Sequence, residues 1–287
     1  MPAVAPTLPS ATRLFAFEPG DGVGRLVIEV DSADSTNRQL IELGRAGAPH
    51  GTVLIARDQT AGRGKGERVW FSTRDGSLCL SVLVRTRRPL TEAAQLPLLA
   101  AVAMREAVLA ATGVEAGIKW PNDLLVGGRK ICGILAEVAY DDRGVFDFVV
   151  VGMGLNLAIP DAAFPEDLRA KAASLATLAG RPVGRDAFVG TFGAIFDRWV
   201  NLWEQHGLAA FAETWSAHAL HLGQVVRLVD DDEDLCATLV GLAADGALRV
   251  RDAAGAMRDV HSSDITTDTS VDRNPLQLSK THTGAFP

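Results

Sequence analysis

The chain has 287 residues, 47% of them hydrophobic, enough for one large domain or a large and a small one around a true core. Its formal net charge of −7 and pI near 5.4 leave no global basic field to hold nucleic acid or an anionic membrane. Three cysteines far apart, Cys79, Cys132 and Cys236, without CxxC spacing, exclude a disulfide framework and a cysteine zinc site and point to a reducing cytoplasm.

Residues 1–19 are rich in Pro and Ala with few periodic apolar positions and predict an irregular arm; they hold no apolar segment of secretory type. No later run approaches the roughly 20 apolar residues of a membrane span, so the protein is expected to be neither exported nor embedded. Residues 25–30 predict a strand leading into DSADSTN, residues 31–37, after which Leu40, Ile41 and Leu43 begin a helical stripe ending near Gly44 or Gly47. Ser35, Thr36 and Asn37 stand at this junction, where any of them can cap the helix. More hydroxyl and amide groups crowd there than a cap needs, beside free helix N–H groups, and the set also suits a ligand with a polar ureido head.

A strand at 52–56 runs into RDQTAGRGKGERVW, residues 57–70. There Gly62, Gly64 and Gly66 alternate with Arg63, Lys65 and Glu67, and residues 57–88 carry eight basic against three acidic side chains. Such a loop offers backbone N–H groups and positive charge to a phosphate. It is not a Walker A loop, because Gln59 stands where that motif's first glycine falls and Gly66 follows Lys65. Residues 77–84 predict a strand. Leu96, Leu99, Ala103, Ala107 and Val108 mark a core helix over 91–112 that stops at Gly113.

Residues 118–137, IKWPNDLLVGGRKICGILAE, predict a β-hairpin turning at Gly127-Gly128, since both central positions of the favoured turn need positive φ. The first arm holds Lys119, Trp120, Pro121, Asn122 and Asp123, with Pro121 interrupting the ladder; the second holds Lys130 and Gly133. The hairpin gathers a cation from each arm, an amide and a carboxylate, either as solvated charges or as a site for an anion and its metal.

Residues 145–157 predict a strand in which Gly152 and Gly154 allow close approach, and Asn156 is either a ligand-site residue or a strand-end residue turning the chain. Helical patterns at 186–204 and 207–220 carry aromatics at core spacing. His218 and His221 lack a third metal ligand and read as structural. Short β-runs over 224–265 fit a small SH3-like β-barrel, with the acidic run 230–234 as a solvated hairpin tip, and the polar tail from 266 onward is expected to be mobile.

DSADSTN, QTAGRGKGERVW, KWPND with RKICGILAE, and GMGLNL stand in an order and at spacings that resemble the biotin protein ligases over residues 31–157. The resemblance implies an α+β fold, a class II aminoacyl-tRNA synthetase-like catalytic domain with a central mixed β-sheet followed by a small C-terminal SH3-like β-barrel. The expected division is an arm at 1–20, a catalytic domain at 21–221, the barrel at 222–268 and a tail at 269–287. The implied activity uses ATP and Mg²⁺ to form biotinyl-5′-AMP from biotin, then transfers biotin to a lysine of a biotin carboxyl carrier protein, in a monomer or weak homodimer.

By the same resemblance, Ser35, Thr36 and Asn37 bind the ureido group, and Gln59, Gly62, Arg63, Lys130, Gly133 and Leu135 complete the biotin site. Arg63, Gly64, Lys65, Arg68, Trp70, Asn122, Asp123, Lys130 and Asn156 bind ATP or the adenylate, Asp123 holds Mg²⁺, and Lys130 and Arg63 are catalytic. No enzyme nucleophile is required, in keeping with the lack of a Ser-His-Asp or Cys-His motif. The sequence departs from the family pattern at Lys65, where Arg is usual and the planar fork is lost, and at Glu67, where Gly is common.

Only some thirty residues precede Asp31, too few for the helix-turn-helix that some relatives carry, so a monofunctional ligase is expected. The competing readings are a lipoate- or octanoate-transfer enzyme, a binding-only sensor and, weakest, a DNA-binding regulator.

Overall fold

The computed structural model describes residues 11–16, 22–229, 234–261 and 263–266. Largely β-branched and aliphatic runs build the centre of its main sheet, because strands covered on both faces have no side to give to water. In chain order the elements are β1 (Ala11–Phe15), β2 (Leu26–Val30), α1 (Thr36–Arg45), β3 (Thr52–Ala56), β4 (Ser77–Val84), α2 (Leu96–Thr112), β5 (Gly117–Lys119), β6 (Asp123–Val126), β7 (Arg129–Tyr140) and β8 (Phe146–Asn156). There follow α3 (Glu166–Arg169), α4 (Leu175–Ala179), α5 (Arg185–His206), α6 (Ala212–His218), β9 (Val225–Val229), β10 (Asp234–Leu242), β11 (Leu248–Asp252), β12 (Met257–Val260) and β13 (Asp264–Thr266).

The eight-stranded sheet runs β1-β2-β3-β4-β8-β7-β6-β5 and is mixed: β2 and β3 are parallel and every other neighbouring pair is antiparallel. Every residue of β3 and β4 is buried. Strand alternation sorts the two faces: Ile28, Leu54, Leu83 and Val150 pack with Leu40 and Leu43 of α1, while Val27, Val53, Val82 and Val151 pack into the larger core that contains α2 and α5. Helix α2 and the six-residue 3-10 segment before it are long and apolar enough to cross a membrane by composition, yet this helix is mostly buried in that core. Gly113 at φ 77 ends it.

The last five strands form a separate antiparallel sheet in the order β12-β11-β10-β9-β13. Buried Gln95 ties it to the larger unit: its Oε1 accepts from Trp203 Nε1 at 2.7 Å and its Nε2 donates to Ala244 O at 3.0 Å.

Three expectations need correction. Residues 11–15, assigned to an irregular arm, are strand β1; backbone pairing to β2 and the Arg13–Glu29 and Arg13–Asp186 contacts, each 3.1 Å, hold it where an apolar period is missing. The first arm of the hairpin at 118–137 is not continuous. It doubles back at a cis Trp120–Pro121 peptide, so that β5 pairs with β6 (Lys119 opposite Asp123) before β6 pairs with β7. Residues 207–220 form a short 3-10 turn and then α6 rather than one helix. The arm at 1–10, acidic residues 230–233 and the tail beyond 266 lie outside the described residues.

Candidate active site

Strands β7 and β8 supply the floor of a cleft of about 330 Å³. Gly133 is opposite Gly154, and Leu135 is opposite Gly152. A Cβ at Gly133 would stand 2.9 Å from Trp70 Cζ3 and 3.1 Å from Lys130 Nζ; one at Gly154 would overlap the Trp70 indole, and one at Gly152 the Asn37 amide. Bare backbone at these positions is what lets the indole and the amide lie on the sheet.

The N-terminus of α1 forms one wall. Ser35 is its N-cap residue by position, with no side-chain capping bond, so the hydroxyl and amide groups here serve other partners. Thr36 N donates to Gln59 Oε1 at 2.9 Å, and Asn37 Nδ2 donates to Leu135 O at 3.0 Å and Glu137 Oε2 at 2.8 Å. Ser81 Oγ lies 2.6 Å from Asn37 Oδ1 and 2.7 Å from Thr36 Oγ1. Ser35, Thr36, Asn37 and Ser81 are all buried, and the last three are hydrogen-bonded, as buried polar groups generally are.

The glycine-rich loop is the second wall and folds back on itself: Gly64 N donates to Arg68 O at 2.7 Å and Trp70 N to Gly62 O at 3.0 Å. Its cations face inward onto protein acceptors. Arg63 pairs with Glu137, Arg68 Nη1 lies 3.2 Å from Asp264 Oδ1, and Lys65 Nζ reaches Ser263 O at 3.4 Å. Ser263, Asp264 and Ile265, at the start of β13, thereby line the cleft. Glu67 is exposed and does not line it, which accommodates an acid in a loop of this kind.

The turn at 119–123 closes the site. Asn122 Nδ2 donates to Ile134 O at 2.7 Å, fastening the turn to β7, and Lys130 Nζ makes an ion contact with Asp123 Oδ1 at 2.6 Å that lacks hydrogen-bond alignment. Lys130 Nζ also sits 5.4 Å from the Trp70 ring centroid, a cation–π contact. The backbone around Lys130 is pinned by Lys130 N donating to Lys171 O at 2.7 Å and by Asn156 Nδ2 donating to Lys130 O at 3.2 Å.

An adjoining cleft of about 380 Å³ shares Val69, Trp70, Lys119, Asp123 and Lys130 with the first and adds Phe71, Asn156, Phe164 and Lys171. Of the residues expected from sequence, Ser35, Thr36, Asn37, Gln59, Arg63, Gly64, Lys65, Arg68, Trp70, Asn122, Asp123, Lys130, Gly133 and Leu135 line the first cleft. Gly62 does not; it is buried behind the wall, where a Cβ would meet Trp70 O at 2.8 Å. Asn156 lines only the adjoining cleft.

Ser81, Glu137, Asp264 and Lys171 were not foreseen, because each joins the site through a partner distant in sequence. Cys79 and Cys132 lie in the strands below, and burial pushes the Cys79 thiol up to about 11 and Cys132 upward too, so neither is a thiolate nucleophile near neutral pH. No cluster of three His, Cys, Asp or Glu with metal-binding geometry occurs among the described residues.

Residues 29–156 match the biotin/lipoate A/B protein ligase family, and residues 221–266 match the biotin protein ligase C terminal domain. The chain is 33% identical to the biotin–[acetyl-CoA-carboxylase] ligase of Paracoccus denitrificans, over 77% of this chain and 92% of that one. It is 32% identical to the bifunctional ligase/repressor BirA of Bacillus spizizenii, over 85% of this chain and 74% of that one. The biotin protein ligase of Aquifex aeolicus in complex with biotin and ATP superposes with a TM-score of 0.73 at 26% identity, covering 84% of this chain and 97% of that one. The chain belongs to the biotin protein ligase family.

Proposed function

We infer that this chain is an ATP-dependent biotin protein ligase, which joins biotin and ATP into biotinyl-5′-AMP and pyrophosphate and then transfers the biotinyl group to a carrier lysine. The observation that carries this reading is the seam between the two clefts: Lys130, Asp123, Lys119 and Trp70 border both, so two ligands can meet across one ammonium group. In the first step a biotin carboxylate oxygen bonds to the α-phosphorus while the bond to the bridging oxygen of pyrophosphate breaks. In the second, the carrier amine bonds to the acyl carbon, AMP leaves and the amine loses a proton. Neither step needs a covalent enzyme intermediate; both need two anions brought together and neutralised.

Lys130 and Arg63 serve as the neutralising cations, and Ser35, Thr36, Asn37 and Gln59 as the polar end that takes the ureido head. Gly133 and Leu135 accommodate the apolar part of biotin. Lys65 and Arg68 hold phosphate oxygens, and Trp70 and Asn156 border the nucleotide. Gly62 contributes by letting the loop pack against Trp70. Mg²⁺ arriving with ATP fits a site with few protein ligands, since this ion keeps waters and phosphates and takes one or two carboxylates. Asp123 is the carboxylate suited to hold it, its Oδ1 exchanging the Lys130 ammonium that lies 2.6 Å away for the ion. Bound there, the ion supplies positive charge to the phosphates.

The same reading takes the catalytic unit as class II synthetase-like over 21–221 and the C-terminal sheet as an SH3-like barrel over 222–268. It takes the protein as a cytoplasmic monomer or weak homodimer acting on a carboxylase carrier domain. Incubation with biotin, MgATP and a biotin carboxyl carrier domain should add one biotinyl group to one carrier lysine by mass analysis. Labelling with lipoate in preference to biotin, or no ATP-dependent labelling, overturns the reading.

A further inference from the structure

Glu137 joins two parts of the cleft that the backbone does not connect. It lies on β7, its side chain is 20% exposed, and its two carboxylate oxygens take different partners: Oε1 meets Arg63 of the glycine-rich loop, and Oε2 accepts from Asn37 Nδ2 at the N-terminus of α1. Asn37 spends its other amide proton on Leu135 O. A carboxylate and a carbonyl oxygen can only accept, so together they fix which end of the Asn37 amide is NH₂. The Asn37 Oδ1 that remains is an acceptor, partly used by Ser81 Oγ. An amide so oriented can receive a ligand N–H and cannot give one.

The same carboxylate holds Arg63. The loop carries Arg63, Lys65 and Arg68, whose mutual repulsion would favour an open loop; Glu137 on β7 opposes it at Arg63, as Asp264 does at Arg68. The amide, whose orientation Glu137 shares with Leu135 O, and the seat of Arg63 thus meet at one side chain.

We propose that Glu137 is a positioning residue that couples the glycine-rich loop to the polar end of the biotin subsite, setting the Asn37 amide as an acceptor and drawing Arg63 over the cleft. This inference rests on the ligase reading. Its two halves separate by substitution. In Glu137→Gln, the side-chain Oε1 can still accept from Asn37, but the amide nitrogen then faces Arg63, a donor against a donor. In Glu137→Ala both contacts vanish.

The test compares wild type, Glu137→Gln and Glu137→Ala by biotin calorimetry, by the rate of tryptic cleavage within the loop in the presence of biotin, and by steady-state pyrophosphate release, with circular dichroism as the folding control. Because hydrogen bonds to charged groups are the stronger kind, Glu137→Gln should speed loop cleavage and lower kcat about tenfold while biotin Kd stays within about threefold. Glu137→Ala should in addition raise biotin Kd about tenfold or more. Wild-type loop protection in Glu137→Gln, or equal weakening of biotin binding in both variants, overturns the coupling. A wild-type protein that binds no biotin and releases no biotin-dependent pyrophosphate instead overturns the ligase reading itself.

Discussion

Replacing Lys130 with alanine tests the seam most directly. Its ammonium lies 2.6 Å from Asp123 and is 35% exposed as a side chain, a position between the protein interior and water. For a pair of unit charges about 4 Å apart at an effective dielectric constant near 20, the interaction is about 4 kcal/mol. Charge that builds on phosphorus without that partner should raise the barrier by a similar amount, about a thousandfold in rate. The loss is compounded because Asp123, 22% exposed, is left without its cation beside the incoming phosphates.

Lys130→Ala should therefore lower biotin-dependent ATP–pyrophosphate exchange about a thousandfold. Stability should change by less than about 1 kcal/mol, since a partly exposed pair contributes little to folding. Thermal unfolding and exchange measured on the same preparation check both statements. Exchange retained above about a tenth of wild type would refute the assignment, because that is less than 1.4 kcal/mol.

Gly154→Ala places a methyl group into the Trp70 indole; overpacking of this kind costs about 1–3 kcal/mol, so Tm and tryptophan fluorescence should both shift and KM for ATP should rise. Unchanged Tm with unchanged KM would show that the ring does not rest there. Asp264→Asn removes an exposed partner of Arg68, so Tm should move by less than about 3 °C while KM for ATP rises a few-fold. A large stability loss without a kinetic effect would make the contact purely structural.

Burial holds His50 below its usual pKa, and its Nδ1 accepts from Arg85 N at 3.1 Å. The unfolded chain thus binds this proton more readily, and the stability tied to neutral His50 is complete above about pH 6.5 and lost as pH falls through the folded value. Lowering the pH from about 7 to about 5 should therefore reduce the Tm of wild type more steeply than that of His50→Gln. Parallel Tm curves would contradict the burial argument.

The sequence was readable where local chemistry decides the outcome. Gly127 and Gly128 do adopt φ of 56° and 77°, and β4 and β8 fall on the strands expected at 77–84 and 145–157. It was opaque where a contact spans the chain. Glu137 meets Asn37 across a sequence separation of 100, and Arg68 meets Asp264 across 196, so no local pattern flags either acid. Strand β1 escaped notice because a short edge strand is held by ladder bonds and by Arg13 rather than by a hydrophobic period. The reversal at Trp120–Asn122 was hidden because Leu124, Leu125 and Val126 continue the apolar character of Ile118 and suggest a single arm. Lys171 entered because its carbonyl accepts from Lys130 N where Lys130 bridges to Ala172, which a loop sequence does not announce.

The burial of α2 has a consequence for biosynthesis. Leu96, Leu99, Ala103 and Ala107 are fully covered only when Phe192, Phe196 and Trp203 of α5 have joined the same core. Translation at about 5–20 residues per second supplies Trp203 some ~90 residues after Thr112, so the nascent chain carries a greasy, uncovered helix for roughly 5–20 s. Chains truncated before α5 should accordingly clump or be captured by chaperones and insertion machinery, even though the finished molecule turns the apolar face of that helix away from both.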